Sequence, residues 1–372
     1  MRATRAIIHL DNFRRNIAAA RKKAGPHPRL CVPVKADAYG HGAVPIARAA
    51  LETGVEYLAV ATVSEGAELR KAGIKAGIIL LSQALPEEMG EISDLNLISL
   101  VSDLESIEVL AANTRLRPLE IHLKVDTGMG RMGCRPEKAL ELAIAIDKSR
   151  KLKLGGIATH LSVADSRRLD DITYTKTQIA LFKEAVDSIK KAGINPGRLH
   201  AANSGALCFH EETYNEDAYF NLVRPGIFLY GYSSDGYLSD IPALPVMELR
   251  STVVFIKKIY PGEEISYGRS WKAQEETYIG TLPIGYADGL PRLLSNRHSV
   301  HIRGKVYPIV GRICMDQCMV DLGNTGEPQR WDEAVIFGPG FETAQTMAEK
   351  IGTISYEILC NINKRVPRLY VN

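Results

Sequence analysis

The sequence predicts an α/β chain: a (β/α)8 barrel over residues 1–243, then a separate, mainly β domain over 244–372. Two observations carry this expectation. Eight short apolar runs alternate with amphipathic stretches through the first two thirds of the chain. From about residue 244 the pattern changes to short alternating strands joined by PG, DG and RG turns. A doubly wound open sheet is the alternative, but eight runs match the count of a closed barrel.

Each element follows from local pattern. Residues 11–24, DNFRRNIAAARKKA, read as an amphipathic helix with Asp11 as N-cap. The strand-like runs are 30–34, 57–61, 76–82, 97–102, 120–125, 154–160, 198–203 and 221–224. Stretches such as AVPIARAALETG, RPEKALELAIAIDKS and TKTQIALFKEAVDSIKKAG separate them as helices. Glycine often follows the last helical residue, where a left-handed cap is needed. In the second domain, MELRSTVVFIKKIYPGEEISYG, TYIGTLPIGYADG, HSVHIRGKVYPIVGRICMDQCMVDLG and EAVIFGPG read as strands, and TAQTMAEKIG as a short helix.

Composition narrows the function. The 372 residues are 45% hydrophobic, enough for a sizeable core, and carry a formal net charge of +3. Nothing in that balance points to nucleic acid as a partner. The apolar patch before Asp11 is too short for a signal-peptide core, and no later run is long enough to span a membrane. A cytoplasmic setting is expected. Six scattered cysteines are expected to be reduced thiols, and no pattern of zinc ligands, or of any other metal, stands out.

A barrel of this type places its chemistry at the C-terminal strand ends. The first end carries Lys35 and Tyr39; the fifth, Lys124 and then DTGMGRMG with Arg131; the sixth, His160. The seventh carries Asn203 and Ser204, and the eighth Arg224, Pro225 and Gly226. An isolated lysine would snorkel to the surface. Five ends bearing Lys, Lys, His, Asn-Ser and Arg point instead to one site. A shielded lysine has a lowered pKa and forms Schiff bases. Ser204 with the amides of Gly226 and Ile227 would cradle a phosphate. Lysine, phosphate site and arginine together suggest pyridoxal phosphate. On these residues alone, a Schiff-base aldolase acting on a sugar phosphate stays equally open.

The motifs VPVKADAYGHGA, HLKVDTGMGRMG, THLSVADS, NSGA, RPGIFLYG, ISYG, IGYADG and GRICMDQCMVDL resemble, in order, those of the alanine racemases, pyridoxal-phosphate enzymes of fold type III. The likeness runs over nearly the whole chain. It implies interconversion of L-alanine and D-alanine, supplying D-alanine for peptidoglycan, by a homodimer whose active sites are shared between subunits. By this resemblance Lys35 carries the cofactor as a Schiff base and is one of two bases. Tyr267 is the other, helped by His160, which lies near Arg224. A free tyrosine has a pKa of about 10, so only about 0.1% is phenolate at pH 7 and a neighbour must help. Tyr39 and Tyr356 match the phosphate-contacting tyrosines.

Arg224 matches the arginine facing the pyridine nitrogen. An arginine only donates, so it leaves that nitrogen unprotonated and the ring a weaker electron sink. Prompt reprotonation at the substrate carbon follows, and with it fidelity. Arg131 matches the residue on the cofactor's phenolic oxygen and the substrate carboxylate. Met315 would bind that carboxylate through its amide, with Cys314 and Asp316 in the same loop, and Tyr286 would line the access route. Lys124 is a candidate for carbamylation. A neighbouring Arg131 would lower its pKa, and some members of the family carry a carbamate there. The rival is an ordinary lysine paired with Asp126.

Three other functions share parts of this pattern. A decarboxylase of this fold would place a carboxylate, not the arginine of VRPG, against the pyridine nitrogen. A non-catalytic pyridoxal-phosphate-binding barrel would lack the β domain and Tyr267. A broad-specificity or serine racemase would share every role above.

Overall fold

The computed structural model describes residues 2–115, 117–214, 219–233 and 241–372. The chain opens with β1 (Arg5–His9) and runs directly into a helix, Leu10–Ala24. His9, not Asp11, is the N-cap; Asp11 sits in the first turn and pairs with Arg14 at 2.9 Å. The shift has a cause: His9 ends a strand, with its amide bonded to Val246 O at 2.8 Å, so the helix starts where the strand stops.

The eight expected runs form eight parallel strands. They are β2 (Arg29–Pro33), β3 (Tyr57–Val60), β4 (Gly77–Leu80), β5 (Ile98–Val101), β6 (Leu119–Lys124), β7 (Leu152–Ala158), β8 (Arg198–His200) and β9 (Leu222–Val223). Their order, β8-β7-β6-β5-β4-β3-β2-β9, follows the chain apart from β9. Backbone bonds beside the two end strands, Asn221 N to Leu199 O at 3.1 Å and Arg224 N to Ala202 O at 2.9 Å, bring the sheet round into a barrel. Side chains alternate across each strand. Cys31, Ala59, Ile79, Ile98, Leu100, Ala158 and Leu222 fill the interior as one cluster. The opposite faces, with Val32, Leu58, Ile78, Ile121 and Ile157, pack on helix residues such as Ile17, Ile46, Leu69, Leu110 and Val186. Each such burial stabilises by about 1.5–3 kcal/mol.

The second unit is a nine-stranded sheet. Its later strands are β10 (Met247–Thr252), β11 (Phe255–Ile259), β14 (Thr277–Leu282), β15 (Ser299–Ile302), β16 (Lys305–Val310), β17 (Cys318–Asp321), β18 (Glu333–Phe337) and β19 (Arg368–Val371). A separate ribbon pairs β12 (Glu264–Ile265) with β13 (Trp271–Lys272). The order is β11-β14-β17-β16-β15-β18-β10-β1-β19. Strand β1 therefore lies in the second sheet, antiparallel to β10 and parallel to β19, although it precedes the barrel in sequence. Its Ala6 and Ile8 are fully buried there, which a free N-terminal strand would not achieve. The expected helix near the end spans Ala344–Ile351, capped by Thr343. A second one, Ser355–Cys360, delivers Tyr356 to the site. Among the described residues, no helix is long and apolar enough to cross a membrane.

Candidate active site

At the C-terminal mouth of the barrel lies a cavity of about 650 Å³. Lys35, Tyr39, Lys124, Arg131, His160, Asn203, Ser204, Arg224, Gly226 and Tyr356 line it. Ile227, expected to contribute its amide, is not among the lining residues, and its side chain is fully buried.

Lys35 stands just past β2, at the head of an unusual turn. Ala36, Asp37, Ala38 and Tyr39 all have φ between 51 and 54°. None is glycine, and left-handed backbone costs about 1–2 kcal/mol per such residue. Polar contacts offset that cost. Glu65 accepts from Ala36 N at 2.7 Å, Asp37 accepts from Ala43 N at 2.8 Å, and Arg368 donates to Gly40 O at 3.0 Å. Glu65 also accepts from the amides of Ala61 and Thr62, at 2.7 and 3.2 Å, so it ties the lysine turn to the next strand end. Burial, and then the charge of Arg131, lower the pKa of Lys35.

Arg224 is buried at the end of β9. Its Nη1 donates to His200 Nδ1 at 2.5 Å and to His200 O at 2.9 Å; its Nη2 donates to Thr159 O at 2.8 Å. Burial lowers its pKa to about 10, which still leaves it protonated at neutral pH. His160 is held neutral, first by burial and then by the charges of Arg224, Lys124, Arg131 and Lys35.

The polar end of the cavity gathers around Gly226. Ser204 Oγ accepts from Gly226 N at 2.8 Å and Phe228 N at 3.3 Å. With both bonds made, its own proton is left for another acceptor. A Cβ on Gly226 would lie 2.8 Å from Tyr39 Oη, so any larger residue here would displace the phenol. The Tyr39 ring packs 4.7 Å from Tyr230 and 5.9 Å from Tyr356, centroid to centroid. Asn203 is a brace: it caps the helix Ser204–Phe209 through Ala206 N and donates to Leu161 O at 3.1 Å.

Lys124 ends β6 with Nζ buried and without a hydrogen-bond partner. Its pKa falls to about 7. The reason differs from the one the sequence suggests: burial contributes most, then Arg224, and Arg131 less. Asp126 does not pair with it, because that carboxylate accepts from the amides of Gly128, Met129 and Gly130 at 2.8–3.2 Å. The stretch 128–133, GMGRMG, has the spacing of a dinucleotide-binding loop. No helix opens on it; the chain returns instead to bridge Val125 with Cys134.

The remaining expected residues form a second cluster, on the β domain. Tyr286 N donates to Cys314 O at 3.1 Å and Ala287 N to Met315 O at 3.0 Å. A Cβ on Gly285 would sit 2.3 Å from both carbonyl oxygens, so glycine is required where these loops meet. Asp316 pairs with Arg365, which also holds the buried Asp288. Ser266, next to Tyr267, donates to Arg312 O at 2.7 Å and lies 3.9 Å from Cys314 Sγ. Tyr267, Met315 and Tyr286 are 70%, 53% and 43% exposed, and none lines the barrel cavity.

Sequence reasoning missed Glu65 and His200. Glu65 looks like the third residue of a helix capping box, which it also is. His200 had a signal, a histidine inside an apolar run at a strand's C-terminal end.

Comparison with known proteins bears on the whole chain. Residues 8–234 match the family model "Alanine racemase, N-terminal domain", and residues 246–370 match "Alanine racemase, C-terminal domain". The alanine racemase of Treponema denticola is 50% identical over all of this chain and 99% of its own length. That of Treponema pallidum is 43% identical over the full length of both. The alanine racemase structure from a D-cycloserine-producing Streptomyces lavendulae superposes with a TM-score of 0.93, at 36% identity, over 100% of this chain and 98% of that one. The strand ends, the cavity and these matches agree, and the chain belongs to the alanine racemase family.

Proposed function

We propose that this chain interconverts L-alanine and D-alanine with pyridoxal phosphate, as a homodimer, with Lys35 and Tyr267 serving opposite faces of the substrate α-carbon. The observation that carries the reading is the convergence of Lys35, Arg224 and the Ser204–Tyr39 pair on one cavity. These residues fit the cofactor. Ser204 has its lone pairs filled and a proton to give, which suits a phosphate oxygen. Lys35, with its lowered pKa, would hold the group covalently through Nζ. When bound, the cofactor would draw electrons from the α-carbon and make its proton acidic.

The chain's own residues do the rest. Arg224 donates toward the ring nitrogen and never accepts. Arg131 binds the substrate carboxylate. Lys35 Nζ, set free once the substrate amine takes its place on the cofactor, would take or return the α-proton on one face, and Tyr267 Oη would do so on the other. A neutral His160 has a ring nitrogen able to accept a hydrogen bond from the phenol. Lys124, with a pKa near 7, has a neutral fraction at pH 7 that reacts with carbon dioxide, and the resulting carbamate would hold Arg131. The exposed cluster of Tyr267, Tyr286, Cys314, Met315 and Asp316 would complete the site of a partner copy across a two-fold axis. The chain would work in the cytoplasm as two units, 1–243 and 244–372, with β1 of the first lending a strand to the sheet of the second, supplying D-alanine to the cell wall.

The test is direct. Purified protein treated with borohydride should carry the reduced cofactor on Lys35, and it should racemise alanine faster than serine, lysine or arginine. A label elsewhere, or no cofactor, ends the reading. Serine turned over as fast as alanine would move it to a broad-specificity racemase.

A further inference from the structure

Behind Arg224 the barrel holds a row of polar side chains, His200, His122 and Glu120, that the proposed reaction leaves unused. Arg224 Nη1 lies 2.5 Å from His200 Nδ1, and His200 Nε2 lies 2.8 Å from His122 Nδ1. His122 Nε2 then lies 3.6 Å from Glu120 Oε1. Both imidazoles are fully buried. Glu120 lines a separate cavity of about 540 Å³ with Arg29, Glu56, Arg117 and Lys153, at the N-terminal mouth. The row thus crosses the barrel from one end to the other.

Donor rules place its protons. Arginine only donates, so His200 Nδ1 accepts and bears no proton. A neutral His200 then carries its proton on Nε2 and donates to His122 Nδ1. By the same step His122 carries its proton on Nε2, facing the Glu120 carboxylate at ionic rather than hydrogen-bond range. Burial first, and the charge of Arg224 with it, hold both imidazoles below the usual histidine range, against an upward pull of Glu120 on His122.

Strand β7 is shaped around this row. A Cβ on Gly156 would lie 2.6 Å from Arg198 O on the neighbouring strand and 2.9 Å from His122 Nδ1, and one on Gly155 would lie 2.2 Å from Glu120 Cγ. The β6–β7 register shifts between Ile121 and His122 at the same place. Glycine weakens a strand interior, so two in succession call for a reason, and these two side chains share it with the close backbone of Arg198.

We propose that His122, backed by Glu120, is a positioning residue for Arg224: a one-directional row of hydrogen bonds through His200 holds the guanidinium toward the cavity. The positioning role rests on the function proposed above for Arg224; the proton positions do not.

Nitrogen NMR of histidine-labelled full-length protein, with and without pyridoxal phosphate, reads the tautomers. His200 and His122 should both be neutral and protonated on Nε2 in both samples. A proton on Nδ1 of either ring, or a charged ring, overturns the proposal whatever the protein catalyses. His122→Phe removes the acceptor and should lower kcat about tenfold with KM for alanine within about twofold, while shifting the cofactor's absorption band. His122→Asn keeps an oxygen near the Nδ1 position and should restore kcat to within about twofold of the parent. A His122→Phe enzyme as fast as the parent refutes the positioning role. If that variant does not fold, Glu120→Ala, at a partly exposed position, decides: the His200 nitrogen resonances should move, and unmoved resonances refute transmission along the row.

Discussion

Lys124 shows how one burial sets a charge. Its ammonium would sit in the barrel wall with no acceptor in reach. In the unfolded chain this lysine keeps its proton up to about 10.5; in the folded chain it gives it up near 7. Between those values the unfolded state binds more protons, so stability rises with pH from about 7 to about 10.5 and is lowest below 7. Lys124→Met should therefore stabilise the protein at pH 6, in buffer free of carbon dioxide, by on the order of 4 kcal/mol. About half of that gain should remain at pH 9. Bicarbonate should raise the melting temperature of the parent and leave Lys124→Met unmoved, because a ligand stabilises only the state that binds it. A parent indifferent to bicarbonate would argue against the carbamate. At this scale the sequence was legible where a residue type is out of place: Lys35, Lys124 and Arg224 interrupt apolar runs. It was silent on the cause of the Lys124 shift, since Arg224 is distant in sequence and close only in the barrel.

The turn after β2 is the element whose conformation the sequence hid. ADAY contains no glycine, and propensity argues against four left-handed residues in succession. Tertiary contacts from Glu65 and Arg368 impose it instead. Two outcomes follow. Ala36→Gly should stabilise the protein by about 1 kcal/mol, the reverse of the usual effect of glycine, because it relieves a left-handed alanine. Thermal unfolding checks this, and a lowered melting temperature would mean the turn is not strained. Glu65→Ala leaves three amides without their acceptor and should cost about 1–3 kcal/mol. Activity should fall further than stability predicts, because Lys35 opens the turn. The strands themselves were easier to read. Eight apolar runs became eight strands, since a run buried on both faces has little else to become.

For the whole molecule, the separation between the barrel cavity and the Tyr267 cluster decides what one chain does alone. Mixed subunits test it. Lys35→Ala and Tyr267→Ala proteins should each be inactive, and random reassociation makes about half the dimers hybrid. Each hybrid would hold one intact site, so activity should return to about a quarter of the parent's. No recovery, with hybrids shown to have formed, would place the site within one chain. That a β domain follows the barrel was legible from its turn residues, but the position of β1 was not, because RAIIH gives no hint of partners some 240 and 360 residues away. That pairing has a consequence for the order of assembly. Among the strands a ribosome makes β1 first, its neighbour β10 only after the whole barrel, and its other neighbour β19 last. Every barrel strand emerges while β1 still has two bare edges. The nascent barrel therefore carries a sticky ribbon until β10 follows it, and one edge of that ribbon stays bare until synthesis is nearly finished. Fragments ending at 243 should aggregate when they start at residue 2 and stay dispersed longer when they start at residue 10.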